Sequence, residues 1–437
     1  MSKIYKFDST TSPVTVSEWE HGRWETEMLD QNETLVANTD GTFTMTEVCK
    51  GKVKSVVYAV AGQTPDGTNY YAPVSMTTAP GSTDAMVATA VVMSSTADDD
   101  QDGDGHHDDH IKGGRGKDKK HGWAGNDSFD GGEGDDDLYG DAGDDDLLGG
   151  AGDDILHGGE GLDHVEGDHG RDRLFGDAGD DDLDGGLGKD ILQGGAGDDL
   201  LSGGADADSL SGGDGDDTLT DDAGNDVMDG GAGDDLIMAG AGAGNDTFSG
   251  VAGTDTVNYS TAVAGIVADL GKGVAVSLAL DAGIGRDRLA TIENIEGSDF
   301  DDRLIGSGGA NELNGGDGND TIDGGCGVDQ LTGSVGDDVF RFAKVKESGL
   351  GSGADTITDF TTGDLIDLSA MDAKAGLTRN DTFTFSATAP AIDAGNGVLW
   401  FDTDSQTLFG STDKDADAEF SIVLLGVTSL SASDIVL

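Results

Sequence analysis

Proline and cysteine are scarce in this chain of 437 residues, which holds five prolines and two cysteines. So few prolines exclude a proline-rich linker, and Cys49 and Cys326 lie too far apart in sequence to suggest a disulfide framework; they read as two isolated thiols. Positive charge is also scarce, with 24 Lys and Arg against 87 Asp and Glu and a formal net charge of -63. A chain this acidic is repelled by nucleic acid and by anionic membrane surfaces, so its natural partners are cations. No stretch approaches the roughly 18 apolar residues of a membrane helix. The best candidate, AMVATAVVM at 85–93, is too short. The N-terminus, MSKIYKFDSTTSPVTVSEWE, has no apolar segment behind a basic start, so a cleaved secretory signal is not expected and these signals alone read as a soluble cytoplasmic protein. Glycine is abundant, at 74 residues, without the three-residue period of collagen. The length allows two to four domains.

The glycines and acids obey a period of nine. From Gly113 to Met238 the chain divides into fourteen consecutive nonapeptides of the form G-G-x-G-x-D-x-U-x, where U is a large apolar residue. The sixth position is aspartate in all fourteen, from Asp118 to Asp235, and the eighth is apolar in thirteen, with Lys120 of the first copy as the exception. After a two-residue slip near Ala239, two weaker copies carry Asp246 with Phe248 and Asp255 with Val257. A second block of five copies runs from Gly297 to Arg341, with Asp302, Asn311, Asp320, Asp329 and Asp338 at the sixth position and Leu304, Leu313, Ile322, Leu331 and Phe340 at the eighth. A disordered acidic tail has such a composition but keeps no fixed phase.

Each position of the nonapeptide has a physical role. Glycine permits backbone angles closed to other residues and turns carbonyl oxygens toward a common point. The x-U-x segment is a short strand whose central side chain faces opposite to its neighbours. One apolar residue in nine makes no core alone, but stacked copies align them into a continuous ladder between two thin parallel sheets. The same stack brings carboxylates face to face at every level. Calcium, a hard cation that takes 6 to 8 oxygen ligands, removes that repulsion.

On these residues the chain resembles the RTX family, whose nonapeptide is a known calcium-binding repeat. The resemblance implies an all-β fold: a right-handed parallel β-roll with two nonapeptides per turn and calcium ions between neighbouring loops. It also implies that the sixth-position carboxylates are calcium ligands: Asp127, Asp136, Asp145, Asp154, Asp163, Asp172, Asp181, Asp190, Asp199, Asp208, Asp217, Asp226, Asp235, Asp246, Asp302, Asp320, Asp329 and Asp338. The first copy, GGRGKDKKH, crowds its loop with lysine and is expected to be a cap without a full ion.

The remaining segments complete the expected organisation. Residues 259–296 read as a β-hairpin spacer about the turn LGKG, followed by re-entry into the repeat. Residues 342–437 resemble the C-terminal module of serralysin-type secreted proteins, a β-sandwich-like cap on the roll. There the closing residues Asp434, Ile435, Val436 and Leu437 resemble an uncleaved signal for a type I secretion apparatus. That resemblance replaces the cytoplasmic reading with a secreted, extracellular one. In the acidic linker 98–112, Asp100, Asp102, Asp104 and Asp108 match the first, third, fifth and ninth positions of a calcium loop of EF-hand type, but Ile111 stands where glutamate belongs. His106, His107 and His110 present transition-metal ligand types without further fixed partners.

Residues 1–97 are expected to form a small β-rich module, with GTFTMTEVCKGKVKSVVYAV as two strands about a KGK turn. The chain contains neither the H-E-x-x-H of zinc proteases nor the G-x-S-x-G of lipases. Three functional readings follow: a non-catalytic secreted calcium-binding protein engaged in adhesion, matrix building or binding of a surface ligand; an enzyme with an unrecognised catalytic module in 1–97; and a pore former. The lack of a long apolar segment or an amphipathic helix argues against the last.

Overall fold

The computed structural model describes residues 108–437, apart from residues 221, 240, 241 and 243 and the segments 279–283, 374–382, 387–396 and 413–416, together with the backbone of eight strands between residues 4 and 93. Two compact units divide the chain, Met1–Asp199 and Leu200–Leu437. No helix among the described residues is long and apolar enough to cross a membrane.

In the first unit, seven of the early strands form an antiparallel sheet in the order Arg23–Met28, Thr15–Glu20, Ile4–Phe7, Asn69–Thr78, Lys52–Gln63, Phe43–Cys49, Glu33–Ala37. Cys49 pairs with Lys52 across the two-residue connection Lys50-Gly51, so the strand pair expected about KGK is present. The eighth strand, Val91–Met93, pairs in parallel with His110–Arg115.

From His110 onward the unit is a parallel β-roll. Alternate nonapeptides fall in alternate sheets, so partners lie 18 residues apart. In one sheet Ile111 aligns with Phe129, Phe129 with Leu147, Leu147 with Val165 and Val165 with Leu183. In the other, Lys120 aligns with Leu138, Leu138 with Leu156, Leu156 with Leu174 and Leu174 with Leu192. These apolar side chains are all buried and constitute the core. Each strand has the alternation in which the eighth-position side chain points in while its two neighbours point out. On the outer surface, ninth-position rings continue the stride: His121, Tyr139, His157 and Phe175 stack with centroids 4.4, 5.0 and 4.3 Å apart. Shortening one rung tests the ladder. Leu156→Ala is expected to destabilise the folded roll by about 2–5 kcal/mol, the range for a buried leucine, as measured by denaturant unfolding with calcium present.

The second unit follows the same plan with interruptions. Leu201, Leu219, Ile237, Val257, Ile295, Leu313, Leu331 and Ile357 align in one sheet. In the other, Leu210, Met228, Phe248 and Leu289 align in parallel. The hairpin expected about LGKG then enters this sheet, Ile266–Asp269 antiparallel to Val274–Ser277, and Ala268 aligns with Leu304 to resume the parallel register. Spacer and roll are therefore one sheet. Near the C-terminus an antiparallel meander of Val398–Asp402, Thr407–Ser411 and Phe420–Leu424 joins the first sheet by pairing Phe420–Leu424 with Asp355–Ile357. Ile435–Val436 pairs in parallel with Leu365–Asp367 in the second.

Candidate metal centre

The loops between strands carry the chemistry. Within each unit, every sixth-position aspartate named from the repeat is buried, so the stack removes its carboxylate from water. Position one, glycine in every one of the fourteen copies except that of Asp221, favours glycine because the carboxylate folds back against it. A Cβ on Gly149 would lie 2.7 Å from Asp154 Oδ2 and 3.0 Å from the carbonyl oxygen of Gly167, one turn further on. Position four is glycine for a second reason: Gly134 has φ +149, and a Cβ there would overlap the carbonyl oxygen of Gly116. At position two, where φ is also positive, Asp141, Asp168 and Asp177 replace glycine. Aspartate is among the few residues that visit this region at modest cost.

Two hydrogen-bonded columns result. The sixth-position N–H donates to Oδ1 of the aspartate one turn later: Asp136 to Asp154 at 2.6 Å, Asp145 to Asp163 at 2.8 Å, Asp154 to Asp172 at 2.8 Å, Asp217 to Asp235 at 3.0 Å and Asp320 to Asp338 at 2.9 Å. The fifth position runs a ladder in the opposite direction, its N–H donating to the side chain one turn earlier: Asp144 to Asn126 at 3.1 Å, Asp198 to Asp180 at 2.9 Å and Asn319 to Asp301 at 2.8 Å. These ladders satisfy one carboxylate oxygen and leave the other. The Oδ2 atoms of Asp136, Asp145, Asp154, Asp163, Asp172, Asp181, Asp226, Asp235, Asp320 and Asp329 are buried without a hydrogen-bond partner.

Burial raises these carboxyls because it penalises the charged form, and neighbouring acids add to the rise. Asp145, Asp154 and Asp172 are pushed up to about 7, Asp136, Asp163, Asp181, Asp329 and Asp338 to about 6, and Asp320 to about 8. Buried carboxylate oxygens without hydrogen donors, brought against main-chain carbonyls from the next turn, form the donor set of a hard, oxygen-seeking cation. The sixth-position side chains and the carbonyls of the glycine turns fit it.

The remaining sequence-derived residues fall as follows. Asp100, Asp102, Asp104, His106 and His107 lie outside the described residues. Asp108 is exposed and accepts the N–H of Asn126 at 3.2 Å, one fifth-position residue to another. Ile111, at the glutamate position of an EF-hand loop, is instead buried in the leucine ladder. The repeat therefore starts one copy before Gly113, with Asp109 at its sixth position donating to Asp127 at 2.7 Å. The lysine-rich copy expected to be a cap supplies the edge strand of its sheet, Lys119–His121, and an ion pair of 2.8 Å joins its Lys117 to Asp135 of the next turn. Asp246 joins its column after a stride of 20, accepting from Asp226 at 2.9 Å. Three further aspartates enter the columns from outside the count of nine: Asp287, Asp355 and Asp364 accept the N–H groups of Asp246, Asp329 and Asp338 at 3.3, 2.9 and 3.0 Å. Each is followed two residues later by a buried apolar residue, Leu289, Ile357 or Ile366. That D-x-U triad is the signal by which the sequence marks them.

A parallel β-roll whose loops stack buried carboxylates at a stride of 18 defines a calcium-binding solenoid. The RTX calcium-binding nonapeptide repeat model matches this chain in overlapping segments from 105–138 to 241–257, and the serralysin C-terminal domain of the M10 peptidases matches 253–437. The chain thus carries RTX repeats followed by a serralysin-like C-terminal domain, the arrangement of a secreted RTX-type protein with a type I secretion module. RTX repeats bind calcium, so the cofactor of the chain is calcium, with several ions expected. No curated protein matches the chain.

Proposed function

We propose that this protein acts outside the cell as a non-catalytic adhesion, matrix or partner-binding component that folds on meeting extracellular calcium, with residues 1–97 as its recognition module. The two columns of buried carboxylates carry this reading. They oppose closure of the roll until cations arrive, and extracellular calcium modules bind at roughly 10⁻⁴–10⁻³ M, far above what the cytoplasm supplies. A ligand that binds only the folded state stabilises it by mass action, so the compartment sets the fold. In this reading 98–112 links the module to the roll, 113–258 and 297–341 are its two blocks about the spacer 259–296, and 342–437 is the export module. The antiparallel sheet within residues 4–78 supports a separate recognition element.

The test is co-sedimentation of the purified chain with the producing cells at 2 and 0 mM added calcium, roughly the upper limit of the extracellular range and its absence. The full chain should sediment with cells only in calcium, and a chain lacking 1–97 should stay in solution under both conditions. Equal sedimentation of the two chains would remove the recognition role from 1–97. Turnover of a substrate by the full chain would favour the catalytic alternative.

A further inference from the structure

The carboxylate columns of the second unit are interrupted where the antiparallel hairpin enters. Beyond the interruption, at Asp320, Asp329 and Asp355, the usual pattern holds: Oδ1 takes an N–H and Oδ2 is buried without a donor. At the interruption itself protein hydrogens reach the oxygen that a cation needs. Asp287 receives the Tyr259 hydroxyl on Oδ2 at 3.3 Å. Asp302 receives the Ser298 N–H on Oδ2 at 2.5 Å, while the Ser298 hydroxyl spans both carboxylate oxygens at 2.9 and 3.0 Å and Ile266 N–H takes Oδ1 at 2.7 Å. In the opposite column, Asn311 Oδ1 receives the N–H and hydroxyl of Ser307 at 2.7 and 3.1 Å, and its amide nitrogen donates to the Glu293 carbonyl at 2.6 Å. The reversed amide would set two oxygens against each other there, so the network fixes its orientation.

The sequence explains the change. Ser298 and Ser307 occupy the second position, which is glycine in most copies. Gly316 and Gly325 at that position have φ +95 and +87, whereas neither serine adopts a positive φ, and both turn N–H and O–H toward their own sixth-position side chain. An N–H₂ group pointing into the column repels a cation, and a carboxylate whose two oxygens both accept protein hydrogens has fewer lone pairs to offer calcium. Stability at this level comes from burial instead. Nine apolar residues among those described between 259 and 296, Tyr259 and Ile266 among them, are buried, against one per nonapeptide in the repeats.

We propose that Asp287, Asp302 and Asn311 form a cation-free break in the calcium ladder, where Tyr259, Ser298 and Ser307 supply the hydrogens that replace the metal. This rests on the calcium reading of the columns. Asp302 is then a structural acid, and ions on the two sides of the hairpin are not nearest neighbours.

Counting bound ions by native mass spectrometry at saturating calcium decides the matter. Asp302→Asn should carry as many ions as the parent, whereas Asp320→Asn should carry at least one fewer. Asn311→Asp, which supplies a second oxygen in place of the amide nitrogen, should gain one. Equal counts for Asp302→Asn and Asp320→Asn overturn the break, as does a folded Asn311→Asp with no added ion. If Asn311→Asp does not fold, the Asp302 and Asp320 pair decides alone. A parent chain that holds no calcium at all sinks the calcium reading itself, a failure distinct from either.

Discussion

Gly143→Val should cost the calcium-loaded roll about 3 kcal/mol or more, through a β-branched side chain forced to positive φ and a Cβ driven into the neighbouring turn. Gly143 has φ +148, and its missing Cβ leaves room for the carbonyl oxygen of Gly125 one turn earlier. Neither obstacle relaxes easily, since both partners are main chain held by the parallel ladders on each side. In a stack where each turn contacts only its neighbours, the damage also separates the turns on either side and lowers cooperativity. Gly308→Ala is the control. Nothing lies within 4 Å of its missing Cβ and its φ is not positive, so its effect should stay within about 0.5 kcal/mol. Thermal unfolding of the two variants in calcium should show a lowered midpoint for the first and a parental one for the second. Similar midpoints would mean that the close approach of successive turns is not what the glycines serve.

Acid should partly replace calcium. In the cation-free roll Asp145, Asp154 and Asp172 are pushed up to about 7 and Asp320 to about 8 from an ordinary 3.8, chiefly by burial. The folded state therefore binds more protons than the unfolded chain between roughly pH 4 and 8, and its stability falls as pH rises through that window. The stabilising contribution of these groups is fully present below about pH 4 and is lost once pH passes about 8. Relief of the repulsion implied by a net charge of -63 acts in the same direction. Calcium reverses the trend, because its ligands must be deprotonated before it binds. Circular dichroism of calcium-free chain should show more β structure at pH 4.5 than at pH 7.5, and the calcium midpoint should rise as pH is lowered from 7.5 to 6. A calcium-free chain with the same spectrum at both pH values would contradict the burial of the carboxylates.

Much of this architecture is legible in the sequence, because a strict period leaves few alternatives. Asp136 and Leu138 recur as Asp154 and Leu156 and again as Asp172 and Leu174, which places the acids on the loops and the leucines in the core together. The hairpin about LGKG and the strand pair about Lys50 and Gly51 followed from alternation and turn residues. Counting by nine was blind where the chain departs from nine. The copy with Asp109 and Ile111 lacks the opening glycine, and Asp287, Asp355 and Asp364 follow insertions. What persists at those places is the local triad, an acid two residues before a core side chain. The fifth-position ladder is visible in the sequence only as an excess of Asp and Asn, since its opposite hydrogen-bond direction depends on the stacking of turns. Serine in place of glycine at 298 and 307 looks conservative in sequence, yet in three dimensions its hydroxyl occupies the oxygens that a cation would use.

The central claim is that calcium held by the stacked aspartates drives closure of the roll. A calcium titration of the purified chain at pH 7.5, followed by far-ultraviolet circular dichroism, tests it most directly. The account predicts a cooperative passage from coil to β structure near millimolar calcium, reversed by chelator. A spectrum already rich in β structure without calcium, and unchanged by chelator, would contradict it.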